Sequence, residues 1–153
     1  MKLVDTDFVI DLQREWESEN PGPATAFLDA HQGIALAVST VSVLEFLEGY
    51  EHPGAGDRLL EAYSRLPVTD GVARRGSRLR RTLRAEGRMI GDFDVLIAAT
   101  ALDAGIPLVT ANTAHFRRVE GLTVESYRQA TKLPRNPRVS DRDHAESEQQ
   151  EGR

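Results

Sequence analysis

The stretch MIGDFDVLIAATAL, residues 89–102, is a nearly continuous apolar segment with two carboxylates, Asp92 and Asp94, close to its start. Within residues 95–102 only Thr100 is polar, so a helix formed here has no hydrated face and must lie inside the protein. The small alanine side chains of the segment allow such a helix to approach a sheet closely. A buried helix that begins with carboxylates should open into an acidic cleft.

These two carboxylates have a structural explanation as well as a functional one. Aspartate is favoured at helix N-caps and in the first helical turn, where it accepts backbone N–H groups and meets the positive end of the helix dipole. One aspartate satisfies that need. We therefore assign Asp92 to capping and Asp94, which shares a helix face with Ala98, to the cleft.

The composition restricts the class of protein. A chain of 153 residues with 40% hydrophobic and 28% charged residues is typical of one soluble domain. The absence of cysteine excludes disulfides, thiolate zinc sites and a cysteine nucleophile. No apolar run is long enough to span a membrane, and the first residues do not resemble a signal peptide, so we expect a cytoplasmic protein without a membrane partner.

The charge is unevenly distributed. The net charge of −5 argues against a uniformly basic nucleic-acid binder, yet seven arginines lie between Arg74 and Arg88. Apolar positions at four, three and four residue steps predict a helix over residues 70–85 with one narrow buried stripe and arginines on the opposite face. Two explanations stay open for these arginines. They form a solvated face paired with acidic neighbours, or some of them, with Arg78 and Arg81 as candidates, contact nucleic-acid phosphates.

Strands alternate with helices along the chain, which predicts an α/β fold with right-handed crossovers. The predicted strands are 2–5, 34–38, 67–69 and 122–125, together with a turn and a strand over residues 105–110. The predicted helices are 8–16, 24–31, 43–49, 57–66, 70–85 and the central segment. We expect one domain over residues 1–131, with a mostly parallel sheet of four to five strands and helices on both faces. Residues 132–153, rich in polar and charged types, are predicted to be a disordered tail.

Polar residues follow the predicted strands at the edge where open parallel sheets collect their ligands. Asp5, Glu45, Asp94 and Asn112 all occupy such positions. Ser42-x-x-Glu45 also matches a capping box, which spacing alone would favour, and Asn112 also suits a helix N-cap. The shared position at strand ends favours the site for both residues.

Clustered carboxylates require a cation between them, because they otherwise repel one another and raise each other's pKa values. Magnesium, or manganese in its place, suits such oxygen ligands and can activate water for attack on a phosphodiester. No lysine, serine or cysteine is placed as an obvious nucleophile. The sequence therefore predicts metal-dependent hydrolysis of RNA or DNA.

Four motifs over residues 1 to about 130 resemble, in the right order, those of the PIN-domain ribonuclease toxins of bacterial toxin–antitoxin systems, the VapC family. They are Asp5-Thr6-Asp7-Phe8-Val9-Ile10, Ser42-x-x-Glu45-Phe46-x-x-Gly49, Ile90-Gly91-x-x-Asp94-Val95-Leu96-Ile97-Ala98-Ala99-Thr100-Ala101 and Leu108-Val109-Thr110-x-Asn112-x-x-x-Phe116. For such a protein the phosphates contacted by Arg78 and Arg81 would be those of RNA.

The resemblance implies a Mg²⁺-dependent endoribonuclease that acts on RNA, is inhibited by a small cognate antitoxin and is commonly a homodimer. The metal-site carboxylates of the family correspond to Asp5, Glu45 and Asp94. The fourth acidic position of the family corresponds to Asn112, which is not an acid, and a later position that is sometimes acidic holds His115. This difference concerns a second metal position, and the role of His115 is left open.

Two alternatives come from other classes of protein. Asp5-x-Asp7 after a short strand also resembles a haloacid-dehalogenase-type phosphatase with Asp5 as nucleophile. Those enzymes need a phosphate-binding lysine before the second acidic motif, and this chain has no lysine between Lys2 and Lys132. The second alternative is a non-catalytic RNA-binding PIN module, suggested by Asn112 in place of an acid.

Overall fold

The structure, a computed structural model, describes residues 1–132, so the predicted tail lies outside the described residues apart from Lys132. Its elements are β1 (Lys2–Val4), α1 (Thr6–Glu17), α2 (Pro23–Ala30), β2 (Leu36–Ser39), α3 (Thr40–Glu48), α4 (Pro53–Leu60), β3 (Ser64–Leu66), α5 (Asp70–Ala85), α6 (Asp92–Ala104), β4 (Leu108–Thr110), α7 (Thr113–Phe116), β5 (Val124–Ser126) and a final 3₁₀ helix (Tyr127–Lys132). None of the helices in this part of the chain is long and apolar enough to cross a bilayer.

The described strands form one sheet with the order β3-β2-β1-β4-β5, and every neighbouring pair is parallel. Strand β1 lies at the centre, where Leu3 pairs with Ala37 of β2 and Leu108 of β4. This confirms the predicted α/β class. Because the strands are parallel, their carboxyl ends meet at one edge of the sheet.

Helices cover both faces of the sheet, as is usual for parallel sheets. Successive strand residues point to opposite faces, so neighbouring residues of β1 report on the two sides. Leu3 belongs to a buried cluster with residues of α5, α6 and α7, whereas Val4 belongs to a second cluster with residues of α1, α2 and α3. The sheet is therefore buried on both sides, and α6 is one of its covering helices. The predicted burial of the segment that forms α6 is confirmed by an exposed fraction of at most 2% at Val95 and from Ile97 to Ala101.

Helix α5 packs closely on α6 at Gly76. A Cβ atom at this position would lie 3.4 Å from the Cδ2 atom of Leu96 and 3.8 Å from the Cβ atom of Ala99, so glycine allows the two helices to approach. At its other end, α6 stops at Gly105, whose φ of 64° is in the left-handed region that favours glycine.

Most predicted boundaries differ from the structure by a few residues, and two differences are larger. The first arises where a strand runs into a helix without a loop. Helix α3 begins at Thr40 rather than residue 43, because Ser39 ends β2 and its hydroxyl caps the helix by accepting the N–H of Val41 at 3.2 Å. Ser42 lies inside the helix and its hydroxyl has no hydrogen-bond partner among the described residues, so the alternative capping box with Glu45 does not form.

The predicted helix over residues 57–66 is divided between α4 and the edge strand β3. Strand β3 pairs with β2, where Ser39 lies opposite Leu66. Residues 67–69, predicted to be the edge strand, form the loop before α5, and Thr69 caps that helix by accepting the N–H of Val72 at 3.2 Å. A strand of three residues has too little sequence pattern to be separated from a preceding amphipathic helix.

Candidate active site

Asp5 follows the central strand β1 and is 6% exposed. It caps α1 by accepting the backbone N–H of Thr6 at Oδ1, over 2.8 Å, and it accepts the hydroxyl hydrogen of Thr110 at Oδ2, over 2.7 Å. Burial raises the pKa of Asp5 to about 6, although these two hydrogen bonds act in the opposite direction. In residues 1–132 no basic side chain forms an ion pair with Asp5.

Glu45 lies on α3 and is joined to Asp5 through one residue, Thr6. The Thr6 hydroxyl donates to Glu45 Oε2 over 2.6 Å, while the Thr6 backbone N–H binds Asp5. Burial raises the pKa of the Glu45 carboxyl, and the negative charges of Asp94 and Asp7 raise it further. Thr6 therefore holds two carboxylates of the predicted site in place.

Asn112 follows β4 and occupies the N-cap position of α7, but its side chain makes no capping hydrogen bond. Its backbone N–H instead donates to the Thr110 hydroxyl oxygen over 2.9 Å, and that hydroxyl donates to Asp5. The alternative role of the Asn112 side chain as a helix cap is wrong. The roles of Thr6 and Thr110 were not predicted from the sequence. The available signal was the polar Thr110 at the end of an apolar strand, two residues before Asn112.

Asp94 lies in the first turn of α6, and its side chain is 28% exposed. Its Oδ2 atom is 3.6 Å from Nδ1 of His115, which has no hydrogen-bond partner among the described residues. Gly91 leaves room for this carboxylate, since a Cβ atom at position 91 would lie 3.3 Å from Asp94 Oδ2. His115, whose role could not be assigned from the sequence, is therefore a neighbour of Asp94.

Asp92 does not cap α6. The N-cap is Gly91, which supplies no side chain, and α6 begins at Asp92 itself. The predicted capping role of Asp92 is therefore wrong, because the N-cap position falls one residue earlier, at Gly91. The Asp92 carboxylate is 66% exposed and forms an ion pair with Arg80 over 3.0 Å.

The carboxylates open onto a shallow cleft with a volume of about 410 Å³. Its lining residues are Glu45, Gly91, Asp92, Phe93 and Asp94. Asp5 does not line this cleft, but the negative charge of Asp94, which does, contributes to raising the pKa of Asp5. Asp5 and Glu45 are thus joined through Thr6, and the negative charge of Asp94 raises the pKa of both.

The residues at this edge fit a hydrated magnesium ion. In residues 1–132 no group of three histidine, aspartate or glutamate side chains forms a ready metal cage. Magnesium does not require one, because it keeps several waters and is usually held by one or two carboxylates together with substrate phosphates. Asp5 and Glu45, whose pKa values are raised and which form no ion pair within the described part of the chain, are a suitable donor set for such an ion.

The arginines of α5 are divided by the structure. Arg74 pairs with Asp70 over 2.6 Å, Arg75 with Asp103 over 3.5 Å, and Arg80 with Asp92. Within the described part of the chain, by contrast, three arginines of this helix form no ion pair. They are Arg78, Arg81 and Arg84. The explanation that these arginines form a solvated face paired with acidic neighbours therefore accounts for only some of the arginines of α5.

The PIN domain family model matches residues 2–122. This is most of the chain, and the match includes the elements that carry Asp5, Glu45, Asp94 and Asn112. The chain therefore belongs to the PIN-domain family.

Relatives show that, within the PIN-domain family, the chain belongs to the VapC branch. Ribonuclease VapC19 of Mycobacterium tuberculosis is 36% identical over 121 residues, which are 76% of this chain and 92% of the relative. The tRNA(fMet)-specific endonuclease VapC of Shigella flexneri is 33% identical over 99 residues, which are 60% of this chain and 75% of the relative. In fold, the chain is similar to DNA-bound VapBC from Salmonella typhimurium, with a TM-score of 0.71, 20% identity and coverage of 83% of this chain and 99% of that one.

Proposed function

We propose that this chain is a Mg²⁺-dependent endoribonuclease that acts in the cytoplasm as the toxin of a toxin–antitoxin pair. The observation that carries the proposal is Asp5, a buried carboxylate without an ion-pair partner in residues 1–132. It is joined to Glu45 through Thr6, and its pKa is raised by the charge of Asp94, which lines an open cleft. Membership of the VapC branch supports it, since relatives in that branch are named ribonucleases and endonucleases. A small cognate antitoxin and a homodimeric state are part of the same proposal.

Asp5, Glu45 and Asp94 would hold the magnesium ion, whose contribution would be Lewis-acid polarisation of the phosphodiester and a lowered pKa of bound water. The chain's own contribution is to orient these carboxylates. The hydroxyl of Thr110 and the N–H of Thr6 hold both oxygens of Asp5 in place. The amide of Asn112, at the same edge, would bind a phosphate oxygen or a water where other family members use an acid.

The two alternatives are weaker. None of the family, relative and structure matches above supports a haloacid-dehalogenase-type phosphatase, and each oxygen of Asp5 already accepts a hydrogen bond, which is unfavourable for a nucleophile. A non-catalytic RNA-binding module would have no need for buried carboxylates whose pKa values are raised.

A metal titration tests the proposal. The purified chain, freed of metal with a chelator, should cleave mixed RNA only after addition of Mg²⁺ or Mn²⁺. Metal binding should also raise the melting temperature, because a ligand at a hundred times its dissociation constant adds about 2.7 kcal/mol to the free energy of unfolding. This rise should be absent in Asp5→Asn. Cleavage that proceeds equally well in chelator, or an aspartyl-phosphate trapped on Asp5, would contradict the proposal.

Asp92→Asn should keep RNA cleavage within about threefold of wild type, because Asp92 is an exposed partner of Arg80 and surface ion pairs contribute only about 0–1 kcal/mol. The measurement is the cleavage rate of purified protein with excess Mg²⁺, compared with Asp94→Asn two residues later on the same helix. If both variants prove equally inactive, then Asp92 belongs with the metal-binding carboxylates.

A further inference from the structure

We propose that the groove between α5 and α6 binds the RNA backbone next to the acidic cleft, with Arg81 and Arg84 contacting its phosphates. The inference rests on the proposed nuclease function for the identity of the bound strand. It differs from the sequence prediction by replacing Arg78 with Arg84, because Arg78 does not line this groove.

The groove has a volume of about 370 Å³ and runs along one face of α5. Its lining includes Gly76, Ser77, Arg80, Arg81, Arg84 and Asp92. Positions 77, 80, 81 and 84 are spaced at i, i+3, i+4 and i+7, so they share one face of the helix. Seven residues of helix rise over roughly 10 Å, which is long enough for a strand to place more than one phosphate along the face.

The groove exists because of the close packing at Gly76 described above. That contact fixes α5 beside the start of α6, where Arg80 reaches Asp92. The ion pair neutralises Arg80 and leaves the positive charge of the groove on Arg81 and Arg84, both of which are exposed. In residues 1–132 neither of them has an ion-pair partner.

The groove leads to the acidic cleft. Asp92 lines both, and the cleft also contains Glu45 and Asp94. A phosphodiester strand lying on the arginines would therefore continue towards the carboxylates that are proposed to cleave it. Such a strand needs compensation for its charge, because a chain with a net charge of −5 repels RNA overall. The planar guanidinium group suits phosphate oxygens, to which it can donate two parallel hydrogen bonds.

The test compares two double variants that remove the same charge from the same helix. Arg81→Gln/Arg84→Gln changes the groove, and Arg74→Gln/Arg78→Gln changes exposed arginines outside it. Both are made in the full-length Asp5→Asn chain, so that a fluorescently labelled single-stranded RNA of mixed sequence stays intact with Mg²⁺ present. Binding is measured by fluorescence anisotropy from about 50 to about 300 mM salt.

We expect the groove variant to bind RNA about tenfold more weakly near 100 mM salt, with a salt slope reduced by about 1.4, because each contact to a single strand contributes about 0.7. The control variant should change the affinity by less than about threefold, with little change in slope. Melting curves of both variants verify the fold.

Three results would overturn the inference. Equal losses in the two double variants would show that only the overall charge matters, and unchanged binding in the groove variant would show that RNA lies elsewhere. Loss of binding to the purified antitoxin with RNA affinity intact would assign the groove to a protein partner. Failure of the nuclease proposal would give a different result. A wild-type chain that binds RNA through the groove but does not cleave it with Mg²⁺ would support the groove inference and contradict the nuclease proposal.

Discussion

Asp5→Asn and Asp94→Asn should each lower Mg²⁺-dependent RNA cleavage by more than about 100-fold, because a lost metal ligand should cost more than the 10–100-fold typical of a lost supporting residue. The change removes one negative charge and keeps the shape of the side chain. At Asp5, the amide oxygen can still accept the N–H of Thr6, so the start of α1 keeps its cap. The measurement is the initial rate with purified protein, mixed RNA and excess Mg²⁺.

Asp5→Asn should lower activity but raise the free energy of unfolding relative to wild type at pH 7. The two measurements together separate loss of catalysis from loss of the fold. The pKa of Asp5 is about 6 in the folded protein and about 3.9 in an unfolded chain. The folded state therefore binds the proton more tightly. The stability that this proton provides is fully present below about pH 4 and is lost as the pH rises through 6, a difference of roughly 2 to 3 kcal/mol.

Asn has no such titration. Without metal, the free energy of unfolding of Asp5→Asn relative to wild type should therefore be higher at pH 7 than at about pH 4, by roughly 2 kcal/mol. Urea unfolding in chelator at the two pH values measures it. Wild-type cleavage rates in Asp5→Asn or Asp94→Asn would remove these residues from the site. Inactivity together with a strongly reduced stability would show that the carboxylate supports the fold rather than the reaction.

The parts of this site that could be predicted from the sequence depend on local patterns, which can be recognised without knowing how the elements pack. The apolar run after Asp94 can be buried only as a helix covered on most sides, and α6 is such a helix. Asp5 comes directly after β1, so the parallel topology brings it to the ligand-bearing edge whatever the details of neighbouring loops.

The parts that could not be predicted depend on contacts between distant segments. Thr110 donates a hydrogen bond to Asp5, which lies 105 positions earlier in the sequence, and no local sequence pattern predicts that bond. Ser39 caps α3 because β2 continues directly into the helix. The capping-box pattern at Ser42 indicated a later helix start, so the true cap was not recognised from the sequence. The proximity of His115 to Asp94 likewise depends on how α7 is placed beside α6.

The second large effect concerns the cell that makes the protein. A magnesium-dependent ribonuclease without its inhibitor should degrade RNA of its host, so expression of the wild-type chain alone should arrest growth and give little soluble protein. Asp5→Asn should express normally, since it lacks the chemistry and keeps the fold. Co-expression of wild type with the neighbouring small open reading frame, which we expect to encode the antitoxin, should restore growth.

An inhibitor that closes the cleft would cover Phe93, which is 44% exposed and lies beside Glu45 and Asp94 in the lining. Phe46 cannot contribute to such a surface, because it is 2% exposed and packs in the core. The experiment is paired induction of wild type and Asp5→Asn in one strain, with and without the second gene, scored by growth and soluble yield. Asp92→Asn is the matched control, because it removes a carboxylate from the same cleft and should remain toxic. If wild type alone grows and accumulates like Asp5→Asn, the toxin assignment fails, and a housekeeping nuclease or an RNA-binding module becomes the better explanation of the acidic cleft.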